Sequence, residues 1–106
     1  MTQTDFYPLA KYFRALSDRL RLRMLHALSA GGEINVSDLA DRLEVSQPLI
    51  SWHLRPLVRA GLVLVRRAGR ESYCSLSPDA FRLHEETVSR LLSQRDAGPR
   101  SGGGSG

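Results

Sequence analysis

Three residues, Glu44, Val45 and Ser46, separate two stretches with helical periodicity. Before them, Leu39, Ala40 and Leu43 recur at the spacing of one helix face; after them, Ile50, Leu54, Leu57 and Val58 do the same. Ser46 is a strong N-cap residue. Pro48 falls in the first turn, where its missing N–H has no intrahelical partner anyway. Gly61 provides the stop. A connection this short makes the two helices cross at a steep angle and share one apolar seam. Few folds accommodate that geometry.

The flanking sequence narrows the choice. Asp5 is placed to cap a first helix, with Pro8 in its first turn and Phe6, Leu9, Phe13 and Leu16 at helical spacing. Ser17 and Asp18 interrupt and cap again, and a second helix carries Leu20, Met24, Leu25 and Leu28 to a stop at Gly31 and Gly32. Ile34 reads as a short extended link. Asn35, with Asp38 three residues later, resembles a capping box that opens the third helix. After the fourth helix, "LVLVRR" and "ESYCSL" read as two strands joined by the turn "AGR". Ser77, Pro78 and Asp79 begin a last helix bearing Phe81, Leu83, Val88, Leu91 and Leu92. The expected order is α-α-α-α-β-β-α: a mainly α chain with a β-hairpin wing, or winged helix-turn-helix. Residues 1–95 form the expected single folded domain, and 96–106, rich in Gly and Ser, a flexible tail.

Charge points to a partner. The net charge of the 106-residue chain is +4, yet between Val45 and Arg70 stand five arginines (Arg55, Arg59, Arg66, Arg67, Arg70) and no Asp or Glu. Positive charge gathered on one stretch suits a phosphate-bearing partner such as double-stranded DNA. No Gly-rich phosphate loop and no nucleophile motif occurs, so the chain is not expected to be an enzyme. Its single cysteine, Cys74, fits a reducing compartment. The sequence contains no apolar run of the ~20 residues a membrane span needs. A cytoplasmic location with no membrane partner is the expectation.

The fourth helix has two faces. Advancing ~100° per residue from Ile50 puts Pro48, Trp52, Arg55 and Arg59 opposite the apolar stripe, with Ser51 on the flank. In a recognition helix the first turns enter the major groove. Gln47 and Ser51 there are able to bond base edges or phosphate, and Arg55 to reach phosphate or guanine. Trp52 either lies against a sugar or thymine methyl, or packs under the wing or another helix. His53, at the edge of the stripe, reads as a structural hydrogen-bonder. Pro56, inside the helix, predicts a kink or loosening over 52–56.

The stretches "FRALSDRLRLRMLHAL", "VSDLADRLEVSQPLISWHLRPLVRAGLV" and "RRAGRESYCSL" together resemble the ArsR-type winged-helix repressors over residues 12–76. The resemblance implies a homodimer that binds a palindromic operator and represses transcription, with the first and last helices as dimer interface. It carries the family's base contacts onto Gln47, Ser51 and Trp52, although the family more often has Arg at the Trp52 position. The wing arginines map onto Arg66, Arg67 and Arg70. With Ser46, Pro48 and Arg55 these make the expected DNA-binding set. The surplus apolar surface of the terminal helices names Phe6, Leu9, Phe13, Phe81, Val88 and Leu92 for the dimer.

Many such repressors sense a metal. One family site is Cys-x-Cys-x-x-Cys in the third helix, where this chain has Asn35, Ser37 and Ala40; a second uses positions held here by Pro78, Ala80, Leu91 and Gln94. Neither set supplies the ligands, so no cofactor is expected. A dimer that brought together two copies of His84 with Glu85 and Glu86 would suit nickel or zinc; the alternative is that these are surface charges on an exposed helix face. Cys74 reads as a small buried filler. A different functional class also fits: a winged-helix protein-interaction module, or a co-regulator that relies on a partner protein to sense the signal.

Overall fold

A computed structural model describes residues 6–93. Asp5, Gln94 and the 96–106 tail lie outside that range. The described chain forms α1 (Tyr7–Leu16), α2 (Arg19–Leu28), β1 (Ile34–Asn35), α3 (Val36–Leu43), α4 (Gln47–Arg59), β2 (Val63–Ala68), β3 (Glu71–Leu76) and α5 (Pro78–Leu92). This is a winged helix-turn-helix, with one element more than the sequence suggested. Ile34 and Asn35 are not a link but a strand: Ile34 pairs with Cys74 and Asn35 with Tyr73, antiparallel, giving a three-stranded sheet in the order β1-β3-β2. Two residues are too few to show periodicity. What makes them a strand is the otherwise unpaired backbone edge of β3.

The caps fall where local chemistry puts them. Asp18 accepts from the Arg21 N–H at 3.1 Å, Asn35 from Asp38 at 2.8 Å, and Ser46 from Leu49 at 3.2 Å. The Asn35 amide also donates to Glu71 of β3 at 3.1 Å, so the α3 cap ties that helix to the sheet. α1 begins at Phe6 without a side-chain cap bond. Between α3 and α4, Glu44 takes φ 59° and ψ 45°, and its N–H donates to the Ala40 and Asp41 carbonyls. That left-handed residue redirects the chain into α4, at the usual cost of such a conformation for a residue with a Cβ.

One core unites these elements. Met24, Leu28, Leu39, Ile50, Leu57, Leu62, Val63 and Cys74 are fully buried. Val58 is not part of it: 42% exposed, it marks the edge of the α4 stripe. α4 runs as one helix through Pro56, where the sequence predicts a kink or loosening. Leu54 and Leu57 are buried on either side of the proline and hold both turns against the same core. Among the described residues, no helix is long and apolar enough to cross a membrane.

The Ser46 cap yields a first prediction. Ser46→Ala removes the acceptor for the Leu49 N–H and is expected to destabilise the fold by about 1 kcal/mol in a urea titration. Ser51→Ala, on the exposed face of the same helix, should leave the midpoint nearly unchanged.

Candidate nucleic-acid interface

α4 turns its core stripe inward and leaves Gln47, Pro48, Ser51, Trp52, Arg55 and Arg59 exposed, with Ser46 at its head. Trp52 is 62% exposed, so it packs neither under the wing nor beneath another helix. The Arg55 guanidinium lies 5.4 Å from the centre of its ring, which keeps an amphipathic plate and a cation together on one surface. Arg67 and Arg70 are exposed on the wing hairpin.

Arg66 departs from the expected pattern. Its Nε donates to Glu33 Oε2 at 2.9 Å, its Nη2 to Oε1 at 2.8 Å, and its Cζ sits 4.8 Å from the Tyr73 ring centre. The Arg66 hydrogen bond holds the Glu33 carboxyl below its usual range. The stretch read as five unneutralised arginines therefore has one whose charge is already matched. Glu33 lies 33 residues upstream, outside the counted stretch, beside β1, and the pairing of β1 with β3 brings it to the wing. Glu33→Gln should release Arg66. We expect tighter binding to every duplex and a salt slope steeper by up to about one unit. Stability should hardly move, because the pair is exposed. A titration of duplex affinity against salt measures both slopes.

Behind the exposed face runs a polar junction. His53 Nδ1 accepts from Arg21 Nε at 3.2 Å and lies 3.7 Å from Asp18 Oδ2. The Asp18 carboxyl is held low, chiefly by the Arg21 backbone N–H that it caps. Arg21 Nη1 donates to the Arg14 carbonyl at 2.9 Å. His53 thus has the structural part expected of it, joining α4 to α1 and α2. Arg21 was not singled out in the sequence, and Arg59 only as a member of the outer face. Both line a cleft of about 170 Å³ with Trp52, Arg55 and Pro56. α2 carries Arg19, Arg21 and Arg23 in alternation, and the sequence gives no sign that the middle one faces α4.

The residues named for other roles fall as follows. Leu9 is buried in the chain's own core and has no side chain to offer a partner, because the turn it occupies on α1 faces inward. Phe6, Phe13 and Leu92 are exposed by 57%, 49% and 81%. Phe81 and Val88 are half-buried against the core. α5 has no fully buried residue along its 15 positions. His84 stacks on Tyr12 with ring centres 4.2 Å apart, and its Nε2 is 3.4 Å from the Ala60 carbonyl. Burial, then the Glu85 charge, raises the Tyr12 hydroxyl pKa. His84 is therefore engaged with α1 and α4, while Glu85 and Glu86 are exposed beside it. Among the described residues no three or more His, Cys, Asp or Glu side chains gather as a metal site. Cys74 is fully buried, and burial pushes its thiol up to about 11.

Comparison with known proteins agrees with this architecture. A family profile described as "Helix-turn-helix domain" matches residues 16–66. The arsenical resistance operon repressor of Bacillus subtilis is 35% identical over 97 residues, covering 89% of this chain and 86% of that protein. A cadmium resistance transcriptional regulatory protein CadC homolog of Staphylococcus aureus is 39% identical over 88 residues, covering 83% and 71%. The solved structure of an ArsR-like transcriptional regulator from Rhodococcus sp. RHA1 superposes with a TM-score of 0.75 at 33% identity, covering 87% of this chain and 86% of that one.

Proposed function

Since this chain belongs to the ArsR-type family of winged helix-turn-helix transcriptional repressors, DNA-binding regulators and not enzymes, we propose that it represses transcription as a homodimer seated on an inverted-repeat operator. The observation that carries this reading is the exposed row Gln47, Ser51, Trp52 and Arg55 on α4, together with the wing cations Arg67 and Arg70, which form no ion pair with a described residue. Gln47 and Ser51, in the first turns, read base edges in the major groove. Ser46 and Pro48 shape the helix entry, and the Ser46 hydroxyl, which caps the helix, remains near the backbone. Trp52 lies against a sugar or a thymine methyl, and Arg55 reaches phosphate or guanine. Arg67 and Arg70 hold phosphates along the flank; Arg66, occupied by Glu33, contributes less than the sequence pattern implied.

The dimer in this proposal uses α1 and α5. Its support is that α5, with no fully buried residue, leaves Leu83 and Leu92 exposed, that Phe6 and Phe13 of α1 are exposed as well, and that the two helices meet where Tyr12 stacks on His84 and touches Phe81. A two-fold axis through this surface sets the two α4 helices on successive half-sites. A double-stranded DNA partner and a lone cysteine support a cytoplasmic location.

A gel shift at two salt concentrations, with an operator selected from random duplexes, tests the reading. Affinity should fall steeply with salt. Gln47→Ala and Ser51→Ala should blur sequence preference, while Arg67→Ala and Arg70→Ala should weaken all duplexes alike and flatten the slope by about one unit per lost contact. Binding that ignores salt and sequence would overturn the proposal.

A further inference from the structure

The cleft between α2 and α4 is lined by three arginines, a tryptophan and a proline, with no acidic side chain among them. Two of the arginines, Arg55 and Arg59, form no ion pair with any described residue. The third is fixed in place. Arg21 donates through Nη1 to the Arg14 carbonyl at 2.9 Å and through Nε to His53 at 3.2 Å. Those two bonds engage Nε and Nη1. Its Nη2 hydrogens, and one on Nη1, are left to donate elsewhere. Holding Arg21 in this way lowers the entropy lost when the fork grips a ligand. The Asp18 carboxylate offsets part of the Arg21 charge, whereas Arg55 and Arg59 have no such partner among the described residues, and a planar guanidinium fork matches the oxygens of a phosphate.

We infer that this cleft is a clamp for a backbone phosphodiester of the bound duplex, in which Arg21 and Arg59 hold a phosphate that α4 alone does not reach. The inference rests on the DNA-binding reading and extends its footprint from α4 and the wing to α2. Continuity with the α4 face favours a duplex phosphate as occupant over a small free anion. Trp52 and Arg55 belong to both surfaces, so a helix laid in the groove brings the adjoining strand to the mouth of the cleft. The clamp is independent of the wing, because its cations come from α2 and α4. It also connects DNA contact to α1, since the carbonyl that holds Arg21 belongs to Arg14 near the end of that helix.

The experiment measures duplex affinity against salt for the full chain, for Arg59→Gln and for the Arg21→Gln/Arg59→Gln double variant. Loss of one phosphate contact should flatten the slope by about 0.9 in the double variant and weaken every duplex about five-fold near physiological salt, regardless of sequence. Arg59→Gln alone should show a smaller change of the same kind; its side chain is exposed and makes no ion pair, so it keeps the test sound should the Arg21 change unfold the chain. Trp52, the single tryptophan of the chain, lines the cleft and supplies a second readout. Its fluorescence should respond to duplex DNA, and inorganic phosphate matched in ionic strength with chloride should leave it unchanged. If the parent chain binds duplex DNA but both variants keep its slope and affinity, the clamp is overturned while the DNA-binding reading stands. If the parent binds no duplex at all, both fail. Saturation of the Trp52 signal by micromolar inorganic phosphate without DNA would identify a small-anion site and overturn the clamp.

Discussion

Phe13→Asp should yield a folded chain that no longer holds its operator. Phe13 lies on α1 with half its surface exposed, its ring 5.4 Å from that of Tyr12. Phe6 on the same end of the chain and Leu92 of α5 are also exposed, and no residue of α5 is fully buried. Among the described residues none covers these side chains, and the proposed second copy would bring an identical surface to them. In an isologous interface the substitution enters twice, and it places two carboxylates in or near an apolar patch. Burying an unpaired carboxylate there costs more than the lost apolar contact. Because the side chain is exposed in the single chain, far-UV circular dichroism and the urea midpoint should change little. Sedimentation should show monomer at micromolar concentration. A monomer offers one α4 where the operator presents two half-sites, so affinity should drop toward that for non-specific DNA, about 10³-fold or more. Leu92→Asp should do the same from α5. Leu9→Asp is the contrasting case: Leu9 is buried in the chain's own core, and its replacement should unfold the protein. A Phe13→Asp chain that remained dimeric and kept its operator affinity would place the interface elsewhere.

What could be read in the sequence was what neighbouring residues decide together. Ser46 caps, Glu44 to Ser46 turn, and Ile50, Leu54 and Leu57 face inward, because each depends on residues within a few positions. The exposure of Trp52 follows from the same periodicity. What was missed depends on residues distant in the chain. Strand β1 exists because β3 lies beside it. Arg66 is neutralised because that pairing brings Glu33 to it, across 33 positions that no window spans. Arg21 is aimed at α4 by His53, 32 residues away. Leu9 shows the limit within a single helix: periodicity marks a stripe as apolar, but does not say whether the chain's own core or a second chain covers it. On α1, Leu9 is buried and Phe13, one helical turn later, is exposed. The continuity of α4 through Pro56 has a related origin, since the buried leucines on either side outweigh a local penalty of about 3 kcal/mol.

The thiol of Cys74 should resist modification in the folded chain and make the protein blind to arsenite. Cys74 is buried in β3, opposite Ile34 on one side and Val65 on the other. Burial raises its pKa from 9.0 to about 11, so near pH 8 the thiolate fraction falls roughly 100-fold. Reaction with a disulfide reagent at pH 8 should be at least that much slower in the folded chain than in urea, and slower still for want of access. Stability follows with a definite sign. The unfolded thiol ionises near its ordinary value while the folded one stays protonated, so the unfolded state binds fewer protons between pH 9 and 11. The urea midpoint should hold below pH 9 and decline from there toward pH 11, and Cys74→Ala should remove that share of the decline. The same burial bears on sensing. Arsenite, cadmium and lead require clustered thiolates, and a relative named for arsenical resistance does not supply them here: Asn35, Ser37 and Ala40 stand at the positions of the family's thiolate motif. Each chain has one thiol, sealed inside its own sheet, so a single chain offers an ion no pair of thiolates. A ligand shifts an equilibrium only by binding one state better than another, and among the described residues no chelating set gathers for these ions. An operator complex titrated with each ion should therefore stay intact. Release by stoichiometric arsenite would show that thiolates do converge and would overturn this account of Cys74. Release by nickel alone, lost in His84→Ala, would show that His84 leaves its stack on Tyr12 to bind the ion.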